Sequence, residues 1–238
     1  MQRNYYEAYW SAEGFNPEGG LGPQARRLLA RALQPRSRIV DVGCGDGGGL
    51  GRWAQAHGYD YLGLDISEAA LAKARGLGLE VHLIEDAARL PLPDGNESAV
   101  ACLEVLEHLV SPMDALTEIR RVMAPGALLV ATVPNAAYWI RRVELGILGR
   151  FNPYGDAHSK DQPWRDPHLR FFTRRTLASM VRAVGFADVS VMGESHPVFS
   201  LRTRIESSRL YRPAMLSLPG LLAPTLLVAA RVPRGAIQ

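Results

Sequence analysis

The chain has 238 residues, with 27 Lys and Arg against 24 Asp and Glu, so its formal net charge is +3. That length suits one domain able to bury its own core, and charges of both signs are interspersed, which argues against a nucleic-acid binder held by bulk electrostatics. Two cysteines, Cys44 and Cys102, exclude a disulfide scaffold and a multi-cysteine zinc centre.

The opening residues, MQRNYYEAYW, are polar and aromatic and lack the apolar region of an export signal, so a cytoplasmic location is expected. Tyr5, Tyr6, Tyr9 and Trp10 stand ahead of a glycine-rich turn, FNPEGGLGP. From there the middle of the chain alternates strand and helix. Residues 38–42 (RIVDV) read as a strand running into a glycine cluster at 43–49, followed by a helix over 50–57. Residues 59–64 form a second strand and 67–75 a helix with Ser67 as N-cap. Residues 79–84 and 98–103 are the third and fourth strands. The helix over 112–123 places Ala115, Leu116, Ile119, Val122 and Met123 on one face, and Pro125-Gly126 turns the chain into a fifth strand, 127–133. This rhythm predicts βαβ units, a parallel sheet and an α/β class.

Residues 134–170 break the period and are rich in Pro, Trp, Tyr, His and Arg. A helix over 173–184, ended by Gly185, and strands at 187–192 and near 225–231 complete the expected elements. The most apolar stretch, 213–232, is divided by prolines 213, 219 and 224. It predicts a buried helical turn and a core strand, with no stable membrane insertion.

The segment Asp41-Val-Gly43-Cys-Gly45-Asp-Gly47 follows a strand and precedes a helix, the context in which a glycine loop brings backbone close to a ligand. By itself it leaves a nicotinamide-dependent oxidoreductase open, because Gly43-x-Gly45-x-x-Gly48 also satisfies the dinucleotide pattern. Asp65 ends the second strand, where an acid can accept both hydroxyls of a ribose. Asp86 follows the third strand, where it can accept from an adenine amino group. Each of these acids is also compatible with a plain turn or helix-start role.

With CLEVLEHL at 102–109 added, the chain resembles the class I S-adenosylmethionine-dependent methyltransferases. DVGCGDG matches their glycine motif, EDAARLPLPDGNESAV their third-strand segment, and EIRRVMAPGALLVATVPN their helix, Pro-Gly turn and fifth strand; the GFADV step extends the likeness towards Val191. Within that group it is similar to small-molecule O-methyltransferases of the ubiquinone-biosynthesis type and to MetW-type proteins. The resemblance implies a Rossmann-like sheet of seven strands, the last antiparallel, with helices on both faces. It implies one domain over 1–238, comprising an aromatic cap (1–35), a substrate lid (136–172) and an apolar insert (198–223).

The implied cofactor is S-adenosyl-L-methionine, yielding S-adenosyl-L-homocysteine. Contacts are expected from Tyr6, Asp41, Gly43, Cys44, Gly45, Asp65, Ile66, Asp86, Ala87, Leu103, Glu104 and His108, and no metal is expected. In-line methyl transfer to a hydroxyl benefits from a base, for which His108, His158 and His168 are candidates; each also has a structural or substrate-contact reading. Tyr138, Trp139, Arg142, Tyr154, Trp164 and Arg170 are candidates for holding the acceptor by stacking and bidentate hydrogen bonds, against the reading of a solvated loop packed on the domain. The acceptor is expected to be a saccharide, natural-product or quinone-like small molecule, and the protein a monomer or homodimer. A cofactor-binding protein that activates a partner enzyme, as the MetW likeness allows, is the alternative.

Overall fold

The computed structural model describes residues 2–11, 21–149, 167–194 and 217–234. Seven strands make one sheet in the order β3-β2-β1-β4-β5-β7-β6. They are β1 (Arg38–Val42), β2 (Asp60–Asp65), β3 (Val81–Leu83), β4 (Glu97–Leu103), β5 (Met123–Pro134), β6 (Ala187–Glu194) and β7 (Thr225–Arg231). β1 to β5 pair parallel to their neighbours, whereas β7 lies antiparallel between β5 and β6. The α/β sheet with its antiparallel last strand is as expected. The chain leaves β1 towards β2 on one side and returns to β4 on the other. This switch opens a crevice at the carboxyl ends of β1 and β4.

The helices are α1 (Gln2–Ser11), α2 (Pro23–Ala32), α3 (Leu50–Ala56), α4 (Glu68–Gly76), α5 (Pro112–Val122), α6 (Trp139–Gly146), α7 (Arg174–Ala183) and the single turn α8 (Pro219–Leu222). Two apolar layers sandwich the sheet. One joins Val40, Leu62, Val100 and Leu129 to Leu116 and Ile119 of α5 and Leu177 of α7. The other joins Ile39, Tyr61 and Val130 to Leu29 of α2, Leu50 of α3 and Leu71 of α4. The central strands therefore bury both faces, which is why they read as nearly continuous apolar runs.

Local chemistry sets the helix starts. The Ser67 hydroxyl accepts from Ala70 N at 3.2 Å, the expected cap of α4. Thr173 and Thr176 form a reciprocal capping box at the start of α7. The fifth strand begins earlier than expected, at Met123, because Met123 pairs with Glu97 before the register shifts and resumes at Leu128 opposite Ala99. The turn at Gly126 (φ +82°) lies inside that irregularity. α2 carried no sequence expectation of its own. Its free amides at Gln24 and Ala25 are satisfied by the Glu194 carboxylate at 3.0 and 2.9 Å, a partner about 170 positions downstream.

Asn135 bolts the end of β5 to the approach to β7. Its amide nitrogen donates to Ala223 O at 2.8 Å and to Pro219 O at 3.3 Å, and its side-chain oxygen accepts from Ala137 N at 3.0 Å. Of the expected insert, only residues 217–223 fall within the described part, where α8 supplies the helical turn ahead of β7. No helix among the described residues is long and apolar enough to cross a membrane. Because Asn135 is 1 % exposed, Asn135→Ala strands several buried polar groups and should lower unfolding free energy by about 1–3 kcal/mol. Urea denaturation measures this, and an unchanged midpoint would show that the bolt contributes nothing.

Candidate active site

The floor of the crevice is the glycine loop after β1. Gly43 (φ +78°) and Gly45 (φ +54°) take left-handed conformations that L side chains rarely adopt. A Cβ on Gly43 would meet Val105 at 2.3 Å, and one on Gly45 would meet the Trp10 indole at 2.6 Å. Gly43 N and Cys44 N donate to Leu64 O at 2.7 and 3.1 Å, pinning the loop to the end of β2. Asp65 completes that junction: its carboxylate accepts from Gly45 N at 2.8 Å and from Ser67 N at 2.9 Å.

The acids differ in environment. Asp41, at the end of β1, is 3 % exposed and accepts from the Tyr61 hydroxyl at 2.9 Å. Burial pushes its carboxyl up to about 7, with Asp65 adding repulsion and the Tyr61 hydrogen bond opposing both. Burial also raises Asp65, against the three backbone hydrogen bonds that favour its charge. Asp86 is exposed and makes a local turn by accepting from Ala88 N at 2.9 Å.

The segment after β4 also lines the crevice. Glu104 sits at φ +56°, an uncommon conformation for a residue with a side chain, while its N–H donates to the carbonyl and hydroxyl of Thr132 at 3.0 and 3.1 Å. Glu107 and His108 follow in a short 3₁₀ turn, Leu106–His108. The Glu107 carbonyl accepts from Leu169 N and Arg170 N at 2.8 and 2.9 Å, which draws the distant segment 167–170 onto the site. His168 thereby stacks on His108, ring centroids 4.5 Å apart. His108 Nδ1 lies 3.4 Å from Pro167 O and Nε2 lies 3.7 Å from a Glu107 carboxylate oxygen.

Glu107 is fully buried, and neither of its carboxylate oxygens has a hydrogen-bond partner. Desolvation first, and then the Glu104 charge, raise its pKa well above the usual carboxylate range. One ligand atom each from Glu107, His108 and His168 lies within 4.8 Å of the others, a spacing that can hold a metal ion. The Tyr6 ring meets His108 edge-on at 5.7 Å, and its buried hydroxyl also has no hydrogen-bond partner.

α1 roofs the crevice, with Arg3, Tyr5, Tyr6, Tyr9 and Trp10 facing a cavity of about 1000 Å³. Tyr6, Asp41, Gly43, Cys44, Gly45, Asp65, Ile66, Asp86, Ala87, Leu103, Glu104 and His108 all line it, and so does His168. The acceptor candidates fare differently. Tyr138, Trp139, Arg142 and Arg170 do not line the cavity. Tyr138 is buried, Arg142 Nε donates to Ala137 O at 2.7 Å, and the Arg170 guanidinium binds the Val110 carbonyl. Arg141, adjacent to Arg142, does face the cavity and pairs with Glu144 at 2.8 Å. Successive helical residues point about 100° apart, so only the phase of α6 chooses between the two arginines. His158, Tyr154 and Trp164 lie outside the described residues. Cavity-facing Arg3, Asp114 and Thr225 had no local sequence signal.

A family described as "Methyltransferase domain" matches residues 20–191. The chain is 34 % identical over 135 residues to a ubiquinone biosynthesis O-methyltransferase of Hahella chejuensis, covering 53 % of this chain and 56 % of that protein. It is 29 % identical over 214 residues to the protein of the same description in Xanthomonas campestris pv. campestris, covering 84 % of each. Among solved structures, a SAM-dependent methyltransferase from Archaeoglobus fulgidus superimposes with a TM-score of 0.60 at 19 % identity, over 87 % of this chain and 93 % of that one. Phosphoethanolamine N-methyltransferase 2 of Haemonchus contortus, in complex with S-adenosyl-L-methionine, gives 0.65 at 18 % identity, over 96 % and 56 %. The nicotinamide alternative, which rested on the glycine spacing alone, is thereby set aside. The glycine loop, the acids at the tips of β1 and β2 and the family match agree: the chain belongs to the methyltransferase-domain family, the class I S-adenosylmethionine-dependent methyltransferases.

Proposed function

We propose that the chain methylates a hydroxyl of a small quinone-like aromatic acceptor, with His108 or His168 as the base. The observation that carries this reading is the stacked histidine pair lining the same cavity as the glycine loop. The names of the O-methyltransferase relatives support a hydroxyl acceptor. Asp65 takes the ribose hydroxyls, Asp86 the adenine amino group, and Asp41 faces the cationic amino-acid end of the donor. The aromatic residues of α1 shield the sulfonium and favour its charge.

In the reaction, the acceptor O–H gives its proton to an imidazole nitrogen of the acting histidine as oxygen attacks the methyl carbon in line with sulfur. The C–O bond forms, the C–S bond breaks, and its electron pair returns to sulfur as a neutral thioether. Holding the three atoms collinear contributes up to about 7–11 kcal/mol.

A second reading is favoured by one observation, the buried Glu107 carboxylate with no hydrogen-bond partner. Glu107, His108 and His168 fit a divalent cation by donor type and spacing. Such an ion, when bound, would neutralise Glu107 and lower the pKa of an acceptor hydroxyl. On this reading the histidines are ligands, and chelation abolishes turnover until a divalent cation is restored. On the base reading, turnover survives chelation.

Titration calorimetry with S-adenosylhomocysteine tests the cofactor assignment: Asp65→Asn should weaken binding by about tenfold or more, since the ribose loses a charged acceptor. Absence of binding by the wild-type chain would sink the reading. His108→Ala and His168→Ala, assayed with catechol-type acceptors, should lower kcat by about 10²–10⁴-fold at the position that acts as base, with cofactor affinity kept. Retained kcat in both variants would remove the histidines from the chemistry. Binding with no turnover on any acceptor would favour the partner-activating alternative.

Asp41 adds a pH test. Its raised pKa means that the carboxylate form, and with it attraction for the donor's cationic end, is lost as pH falls through about 7. Affinity for S-adenosylmethionine should therefore rise between pH 6 and 8, by up to about tenfold per pH unit below the midpoint. Asp41→Asn should flatten that slope, and an identical slope in the variant would exclude Asp41 as its source.

A further inference from the structure

We propose that Glu7 is the latch of the cofactor-covering helix: its carboxylate seats on the N-terminus of α4, holds α1 over the glycine loop and, through Ser67, ties that helix to Asp65. The proposal rests on the cofactor assignment above and names the residue that controls how long the cofactor stays.

α1 packs chiefly against α4, and the contact has two polar ends. At one end, Glu7 accepts from Glu68 N and Ala69 N at 2.7 and 3.0 Å and from the Ser67 hydroxyl at 3.2 Å. These amides belong to the first turn of α4, have no partner within their own helix, and lie at its positive end. At the other end, Lys73 Nζ donates to Trp10 O at 2.6 Å, a carbonyl in the last turn of α1, and lies 5.6 Å from the centre of the Trp10 ring. Between the two anchors α1 presents Tyr6 to His108 and Trp10 to Gly45.

Ser67 links roof to floor. Its N–H donates to Asp65, its hydroxyl donates to Glu7 and accepts from Ala70 N, and it is completely buried. Breaking the Glu7 contact therefore frees the roof and removes a partner from the residue that orients the ribose acid. Residues of α1 belong to neither apolar layer that holds the sheet together. The latch can thus open without loosening the fold, and its strength is that of one anion on one helix end, about fivefold to thirtyfold in an equilibrium.

The test uses the full chain with S-adenosylhomocysteine as probe. Stopped-flow tryptophan fluorescence, to which Trp10 contributes, gives association and dissociation rates; hydrogen exchange gives the protection of residues 2–11 and of the Glu68 and Ala69 amides. Glu7→Ala should speed dissociation by about fivefold to thirtyfold with association unchanged. It should also raise exchange at those sites, while lowering the thermal midpoint by only about 2–8 °C. Glu7→Gln, which keeps an acceptor oxygen but no charge, should fall between wild type and Glu7→Ala. Wild-type dissociation and wild-type exchange in Glu7→Ala would overturn the latch. Should the wild-type chain fail to bind S-adenosylhomocysteine, the cofactor assignment falls, and exchange in the free protein still decides whether Glu7 holds α1.

Discussion

The Asp65 carboxylate holds the site together. It stands at the carboxyl end of β2 and accepts one N–H from the glycine loop after β1 and another from the residue that caps α4. Two separate loops are thereby fixed to one strand tip. Burying a charged group so fully is unfavourable unless it is hydrogen-bonded, and here the backbone supplies that compensation. The left-handed turns at Gly43 and Gly45 shape the loop whose Gly45 amide reaches Asp65.

Along the same edge of the sheet, acids are kept where water would stabilise them better. Asp41 is neutralised by burial at a pH where an exposed aspartate is charged, and Glu107 is buried with no hydrogen bond to its carboxylate. Glu104 adds a backbone conformation that is strained for any residue with a side chain. Concentrations of unfavourable groups of this kind mark binding and catalytic surfaces, because a ligand of opposite charge or a bound cation restores the missing interactions. The two apolar layers on either side of the sheet hold this edge in place despite its cost.

The cavity has two halves of different origin. The half near the glycine loop is formed by contiguous strand-to-helix turns, each a few residues from the strand that positions it. The half near His108 is assembled from pieces remote in the chain: Tyr6 from α1, Arg141 from α6, and His168 delivered by two backbone hydrogen bonds to the Glu107 carbonyl.

The sequence by itself determined the strand-helix alternation, the glycine loop, Ser67 as a cap and a set of residues at the strand ends that line one cavity, because those features depend on backbone conformation and side-chain period within a few positions. RIVDV at 38–42 and TLLVAAR at 225–231 became strands with the expected bounds, since continuous β-branched and aliphatic runs fit a strand buried on both faces. Only the tertiary structure decided what depends on distant partners. Glu194 satisfies α2, the phase of α6 turns Arg141 and not Arg142 to the cavity, and the Arg170 guanidinium donates to the carbonyls of Val110 and Leu169. His168 joins His108 across 60 positions, and Glu7 meets α4 across about the same separation. No local period encodes such meetings; they follow from where the packed sheet brings the loops.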